Sequence, residues 1–428
     1  MKKLANGHPN TWYAASAKSL PEFRSLECDV DTDVCVVGGG YTGLSAALHL
    51  AERGRSVLLV EKERIGFGAS GRNGGQVGSG QRLDQHALER TVGDTAAARF
   101  WNAAEDAKTL VARLIERHSI ACRYKPGVVT AAWTQKEARN QQAYARHLER
   151  RYGYEKNEPL DRKSMERFIG SKVFAGGVVD WGAGHLHPLE FASGLARAAV
   201  GAGATICEST AIESIDDVGS GVVLRTDNCR IRSGKAIIAC NGYVGGLCDA
   251  IEARVMPINN FIAATEPLGD LGKEILPFDS AAFDTRFVVS YFRKSEDGRL
   301  LFGGGENYRS KFPSDIARLV RRPMTKIFPQ LRSASIDYAW GGTLAITVNR
   351  MPFFIRPSSN ILSASGYSGH GVALACMAGR ILADSVSSSS SEFELFSGLE
   401  APKFPGGPAL RKFLLAAALS WLSFKDRL

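Results

Sequence analysis

The stretch DVCVVGGGYTGLSAALHLAERGRSVLLVE, residues 33–61, constrains the fold of this chain more than any other. Residues 34–37 form a short apolar run. Gly38-Gly39-Gly40-Tyr41-Thr42-Gly43 fits the spacing G-x-G-x-x-G, and Leu44, Ala47, Leu48 and Ala51 then recur on one helical face. Gly54 stands where a helix end takes a left-handed residue. Residues 57–60 are a second apolar run, closed by Glu61. Strand, turn, helix, strand and acid in this order predict a βαβ unit. In it Gly38 makes the tight turn, Gly40 lets a diphosphate approach the backbone, and Gly43 lets the helix pack against the sheet. The helix N-terminus at Tyr41 and Thr42 offers free amides to phosphate charge. Glu61, followed by Lys62, is placed to meet a ribose diol. The pattern implies an adenine dinucleotide without choosing between NAD and FAD.

Length permits a sizeable core and two domains in the 428 residues. The net charge of +9 is spread along the chain rather than massed, as expected for a basic but solvated surface. No basic groove with interleaved aromatics is visible, so no nucleic-acid partner is expected. Eight cysteines are scattered without a C-x-x-C pair and read as buried thiols of a reducing compartment. The N-terminal residues lack the apolar core of a signal peptide, and no run reaches the ~18 apolar residues of a membrane span. A cytoplasmic protein is expected. An apolar helix over residues 410–424, flanked by basic residues, is expected to dock on the body or on a partner subunit.

Two further glycine-rich segments bear on the ligand. Residues 65–82 carry seven glycines, with Ser70, Arg72, Asn73 and Gln76 among Gly71, Gly74 and Gly75. Such density brings backbone amides close to a ligand, and the interleaved polar side chains add donors. Residues 365–371, SGYSGHG, follow a predicted strand at 361–364 and open onto a predicted helix at 372–384, a second anion site. It suits the negative charge on the pyrimidine edge of a reduced flavin. Between these ends the pattern predicts helix over 84–122 and 135–152, strand over 124–133, and a glycine-rich loop over 176–188. A helix over 189–200 and strands at 205–215, 222–226 and 236–241 follow. A second sheet is expected from 260–267, 287–292, 300–303 and 336–340.

Taken together, GGGYTG, GASGRNGGQ, GHLHP, ATEPL, FGGG, DYAW and GYSGHG occur in the order found in flavin-dependent amine and amino-acid oxidases of the D-amino-acid oxidase superfamily, which this chain resembles, most closely its gamma-glutamylputrescine oxidase branch. The resemblance implies FAD and an α/β fold: a Rossmann-like FAD-binding domain with a discontinuous α+β substrate domain. The implied FAD-binding parts are 29–85, 181–255 and 348–395. The substrate side takes 86–180 and 256–347, and 396–428 is a tail with a helix. Gly38, Gly40, Gly43 and Glu61 would serve the ADP half, Ile212 the adenine, and Ser70 to Gln76 the flavin and ribityl. Gly242, Gly366, Gly369, His370 and Gly371 would lie about the ring.

The implied reaction oxidises a C–N bond of a neutral amine, with hydride passing to flavin N5 and the imine hydrolysing to an aldehyde; O2 or another acceptor reoxidises the flavin. The cofactor carries that chemistry, so no strong protein base is required. His370 is the foremost catalytic candidate, as a positive charge beside reduced flavin. Gln76 is a further catalytic candidate; Trp340, Tyr291 and Tyr367 are expected to wall the substrate, and Arg293 or Arg350 to hold a distant carboxylate. No metal site is assigned; His185 and His187, two apart, read as structural. The arginine that binds the α-carboxylate in related glycine oxidases aligns with Leu344, which favours an amine over a simple α-amino acid. The oxygen-activating lysine of sarcosine oxidases aligns with Leu301. No cysteine lies in 340–343, so FAD is expected to be noncovalent. The alternatives are a sarcosine- or glycine-type oxidase or dehydrogenase, a flavoprotein acting on modified RNA, and an FAD-holding subunit without turnover. Self-association is left open.

Overall fold

The computed structural model describes residues 3–4, 6–307, 311–386 and 390–406. The βαβ unit forms as its pattern requires: strand Val30–Val37, helix Tyr41–Ala51, strand Val57–Val60. The two strands pair in parallel, Val34 with Val57 through Val37 with Val60. Val34 to Val37 and Val57 to Val60 are all buried, as a parallel sheet covered on both faces demands. Around them the first sheet runs in the order Phe353–Ser358, Ile361–Ser365, Arg230–Ile238, Val30–Val37, Val57–Val60, Thr205–Cys207. Neighbours in this order are parallel except the Phe353–Ser358 edge, and Val222–Arg225 and Ser214–Asp217 add an antiparallel hairpin to Arg230–Ile238. Three distant chain segments therefore build one Rossmann-like sheet.

One face is covered by helices Tyr41–Ala51, Pro188–Gly201 and Gly371–Asp384. The first and last approach closely because Gly379 has no side chain: a Cβ there would lie 2.4 Å from the Thr42 carbonyl oxygen. Ser45 Oγ donates to the Cys376 carbonyl at 2.7 Å across the same contact. The closing helix is thus locked to the first, which brings the two glycine turns to one end of the sheet.

The second sheet runs Ile336–Ile346, Met256–Thr265, Leu300–Asn307, Tyr291–Lys294, Ala281–Asp284, Lys125–Ala132, Gly176–His185, Gln76–Val77. It is antiparallel apart from the pairing of Ala281–Asp284 with Lys125–Ala132. Helices Arg162–Ile169 and Ile316–Ile327 bury one face in a separate core with Phe261, Phe292 and Phe302.

Several expectations are corrected. Residues 176–185 are a central strand, not a loop. Its glycines serve close approach: a Cβ on Gly177 would lie 2.0 Å from the Thr130 carbonyl oxygen, and one on Gly184 2.4 Å from the Tyr124 hydroxyl. The expected strand 205–215 is two short strands, Thr205–Cys207 and Ser214–Asp217. The helix Gln85–Arg117 is broken at Gly93, whose φ of 77° and ψ of 164° are non-helical. Strands Ala281–Asp284 and Phe353–Ser358 and helix Trp12–Ser16 complete the structure without a strong sequence signal. That first helix buries Trp12 and Tyr13 against the body. Of the eight cysteines, all without disulfides, Cys28 is exposed. Among the described residues no helix is long and apolar enough to cross a membrane. The expected helix over 410–424 lies outside them.

Candidate active site

A cavity of about 1560 Å³ runs along the end of the first sheet and under the second. This exceeds the ~300–1,000 Å³ of ordinary single-ligand pockets, leaving space for a dinucleotide and a further small molecule. At one end lie Gly38, Gly40, Tyr41, Thr42, Glu61, Lys62 and Ile212. Gly38 has φ +111°, and a Cβ on it would strike the Ala239 carbonyl at 2.8 Å; a Cβ on Gly43 would lie 1.9 Å from the Gly38 oxygen. Gly43 therefore shapes the turn from behind and does not line the cavity. The helix N-terminus at Gly40 has no side-chain cap, and the Tyr41 amide donates to Ser70 Oγ at 3.0 Å. Glu61 accepts from the amides of Gly39, at 2.7 Å, and Glu63, at 2.9 Å. Burial pushes its carboxyl up while those two amides pull it down. The turn thus fixes the acid's orientation as well as its own.

The middle of the cavity is bounded by the 65–82 segment. Its polar side chains, expected to present donors to a ligand, border the cavity and also hold the loop together. Arg72 donates to the carbonyls of Gly68 and Gly341 and to the Tyr243 hydroxyl. Asn73 Nδ2 donates to the carbonyls of Ala69 and Ser70, and its Oδ1 accepts from the Gly75 amide at 2.7 Å. Gln76 Nε2 donates to the Ala282 carbonyl at 3.0 Å while its side chain borders the cavity. Gly71 and Gly75 face inward to protein: Cβ atoms there would lie 2.3 Å from the Gly66 oxygen and 2.1 Å from the Leu186 oxygen. At the cavity surface this segment presents Ser70, Arg72, Asn73, Gly74 and Gln76.

At the other end Gly242, Gly369, His370 and Gly371 line the cavity. Gly366, φ +75°, sits behind them, where a Cβ would meet Thr347 Cγ2 at 2.6 Å. Its amide donates to Asn241 Oδ1 at 3.0 Å, tying the turn to the Asn241–Tyr243 bend. The helix Gly371–Asp384 opens here without a side-chain cap. His370 packs its ring on Gly78, where a Cβ would lie 2.5 Å from Cε1, and its buried Nε2 has no hydrogen-bond partner in the protein. Burial, and next the Arg82 guanidinium, hold this imidazole down to about 4. The protein environment by itself thus disfavours the expected histidinium. The cations at this end are Arg82 and Arg350, with Glu306 beside them; all three line the cavity.

Tyr291 lines the cavity, and its hydroxyl donates to Asn260 Oδ1 at 2.6 Å. Tyr367 also lines it, its hydroxyl 2.7 Å from Thr42 Oγ1. Trp340 does not. It is fully buried with Trp12, Tyr13 and Leu301, and its Nε1 donates to the Arg72 carbonyl at 3.2 Å. It supports the loop from the side opposite the cavity. Arg293 likewise braces Gly74, donating to its carbonyl at 3.1 Å, and stacks on Tyr13. His187 caps the helix Pro188–Gly201 by accepting from the Glu190 amide, and His185 bonds the Asp279 carbonyl. Arg82, Glu306, Asn241 and Asn260 were not singled out by the sequence. Arg82 ends the glycine segment and Glu306 follows Gly303–Gly305; those positions were the available signal.

Two helix N-termini without a cap from their own first residue, a glycine cradle between them and an imidazole nitrogen without a protein partner fit a long anionic cofactor. Comparison with known proteins agrees. Residues 33–385 match the family DAO, described as FAD dependent oxidoreductase. The chain is 41% identical over 417 residues to the probable oxidoreductase OrdL of Rhizobium meliloti, covering 97% of each. It is 37% identical over 423 residues to gamma-glutamylputrescine oxidoreductase of Escherichia coli, covering 98% of this chain and 99% of that one. The crystal structure of glycine oxidase from Geobacillus kaustophilus superposes with a TM-score of 0.73 at 22% identity, over 85% of this chain and 97% of the other.

Proposed function

The chain belongs to the DAO family of FAD-dependent oxidoreductases, and we propose that within it the protein oxidises the C–N bond of gamma-glutamylputrescine or a related polyamine derivative, with O2 as the final acceptor. FAD is the cofactor. When bound it takes up the two electrons and the hydrogen lost from the amine carbon, leaving an imine that water splits to an aldehyde and an amine. Gly38, Gly40, Tyr41 and Thr42 would hold the diphosphate, and the Gly366–Gly371 turn the ring.

The observation that carries the substrate assignment is the charge pattern beyond His370. Arg82 and Arg350 meet Glu306 on one cavity wall, which suits a substrate bearing both a carboxylate and an ammonium remote from the reacting carbon. Leu344 also lines the cavity. An apolar side chain there offers nothing to an α-carboxylate, against a glycine- or sarcosine-type substrate. Tyr291, its hydroxyl held by Asn260, and His370 also line the cavity, and by excluding water they favour an uncharged amine. The name of the 37% identical relative supports the same substrate. Leu301, where the resemblance would place an oxygen-activating lysine, is buried away from the cavity. The same cations, Arg82 and Arg350, are the groups available to stabilise charge during reoxidation.

The test is a panel of amines added anaerobically to the FAD-loaded protein, followed by air. Bleaching by gamma-glutamylputrescine, ahead of putrescine, sarcosine and glycine, and peroxide on aeration are expected. Faster bleaching by glycine or sarcosine refutes the substrate assignment. Bleaching without peroxide refutes O2 as acceptor and leaves a dehydrogenase.

A further inference from the structure

A second cluster of potential ligands lies on the outer wall of the cavity, away from the glycine turns. The long helix Gln85–Arg117 is interrupted at Gly93, so its first segment packs as a separate piece against the helix Gln135–Tyr152. His86 and Glu89 stand one turn apart on that piece, on the same face, and His147 faces them from the second helix. His147 Nε2 lies 2.8 Å from Glu89 Oε1, and His86 Nδ1 lies 3.7 Å from Glu89 Oε2. The two imidazole rings are 4.0 Å apart, centroid to centroid. One donor atom from each residue falls within 4.8 Å of both others. Tyr152 donates its hydroxyl to Glu89 Oε1 at 2.6 Å.

The two imidazole rings, tilted 40° to each other, both face the one carboxylate. They form a good ligand set. Imidazole nitrogens and a carboxylate oxygen at ~2.0–2.2 Å from one ion lie a few ångströms from each other, the spread seen here. Two histidines, a glutamate and water is a four-coordinate set suited to zinc. The tyrosine bonded to the glutamate is the outer partner that orients such a ligand. The 58-residue separation of Glu89 from His147 hides the set in the sequence.

We propose that His86, Glu89 and His147 bind one zinc-type divalent ion that fastens the start of the long helix to the helix Gln135–Tyr152. His86 and Tyr144 both line the cavity, so the ion would stiffen the wall the substrate passes. Binding needs only neutral imidazoles and an ionised carboxylate.

The test uses untagged, FAD-loaded full-length protein, stripped with chelator and dialysed against zinc, then against cobalt. One zinc per chain is expected, with a visible ligand-field band on cobalt substitution. His147→Gln and His86→Gln should each abolish both while the flavin spectrum persists, and Tyr152→Phe should weaken uptake roughly 10–100-fold. Because the His86 side chain is 45% exposed, His86→Gln should fold even if the buried-side variant does not. Substoichiometric uptake by the unaltered protein overturns the proposal. So does one zinc per chain that survives either substitution in folded protein.

Discussion

Alanine at Gly40 and alanine at Gly43 should damage the protein in different ways, although the two glycines are three residues apart in one turn. Gly40 has φ −88° and ψ −176°, a backbone any residue adopts, and a Cβ there meets only Ser70 Oγ, at 2.9 Å. That hydroxyl can rotate away. The added methyl then occupies cavity space at the uncapped helix N-terminus, where the cofactor's diphosphate must come. At Gly43 the Cβ would lie 1.9 Å from the backbone oxygen of Gly38. Relief to an ordinary contact of about 3.4 Å moves the first helical turn by about 1.5 Å, and neither partner is a flexible side chain. Overpacking of this kind costs about 1–3 kcal/mol. With ~2.1 cal/mol/K of unfolding entropy per residue, a chain of 428 residues loses about 1 °C of Tm per kcal/mol. Gly43→Ala should thus lower the Tm of the FAD-free protein by about 1–3 °C. Gly40→Ala costs at most the hydrogen bond from the Tyr41 amide to Ser70 Oγ and should lower that Tm by no more than about 1 °C. The assay is a thermal melt without FAD and with FAD in excess. At a hundredfold excess over Kd the cofactor stabilises by about 2.7 kcal/mol, a rise of about 3 °C. Gly40→Ala should lose most of this rise. If Gly40→Ala keeps the full rise but melts early without FAD, the assignment of Gly40 to cofactor approach is wrong.

Other perturbations follow from the same geometry. Burial is the leading cause that holds His8, His185 and His370 each down to about 4. Between the unfolded value of 6.5 and about 4 the unfolded chain therefore binds more protons, so stability is full above pH 6.5 and falls with acidification through that window. In denaturant melts across pH 4–6.5 the proton dependence should fall by up to one proton in His370→Asn; an unchanged slope in that variant contradicts the neutral imidazole. Flavin reduction should likewise show no inflection near pH 6.5 that disappears with His370→Asn. Leu344→Arg puts a guanidinium on the cavity wall and should shift kcat/KM from gamma-glutamylputrescine toward glycine by tenfold or more; no shift would show that position 344 does not face the reacting carbon. Trp340→Phe removes one buried hydrogen bond to Arg72 and should cost about 1 kcal/mol of stability with KM for the amine unchanged; a raised KM would return Trp340 to the substrate wall.

The chain announces the parts of its fold that rest on local pattern. The βαβ unit, the helices Gln135–Tyr152 and Gly371–Asp384 and the buried strand before the second turn all show in periodicity and glycine placement. What fails is the inference from glycine to loop. Gly176, Gly177 and Gly184 are needed because a neighbouring backbone or side chain comes too near for a Cβ, a tertiary requirement that leaves the same trace as a turn. Side-chain roles are hidden for a similar reason. Arg72 and Asn73 border the cavity, yet they also donate to the carbonyls of Gly341 and Ala69, and Trp340, on the neighbouring strand, donates to that of Arg72, since buried backbone oxygens must be satisfied. Arg82, Glu306 and the His86–Glu89–His147 group depend on contacts between distant segments, which no local pattern records.

The central claim is that the turn at residues 38–43 and the turn at 366–371 hold opposite ends of one FAD. A crystal structure of the FAD-loaded protein tests it most directly. The diphosphate should lie against Gly40, Tyr41 and Thr42, and the isoalloxazine against Gly369, His370 and Gly371 with Arg82 on the far side. An isoalloxazine ring outside contact with His370, or protein that takes up no FAD at all, would contradict it.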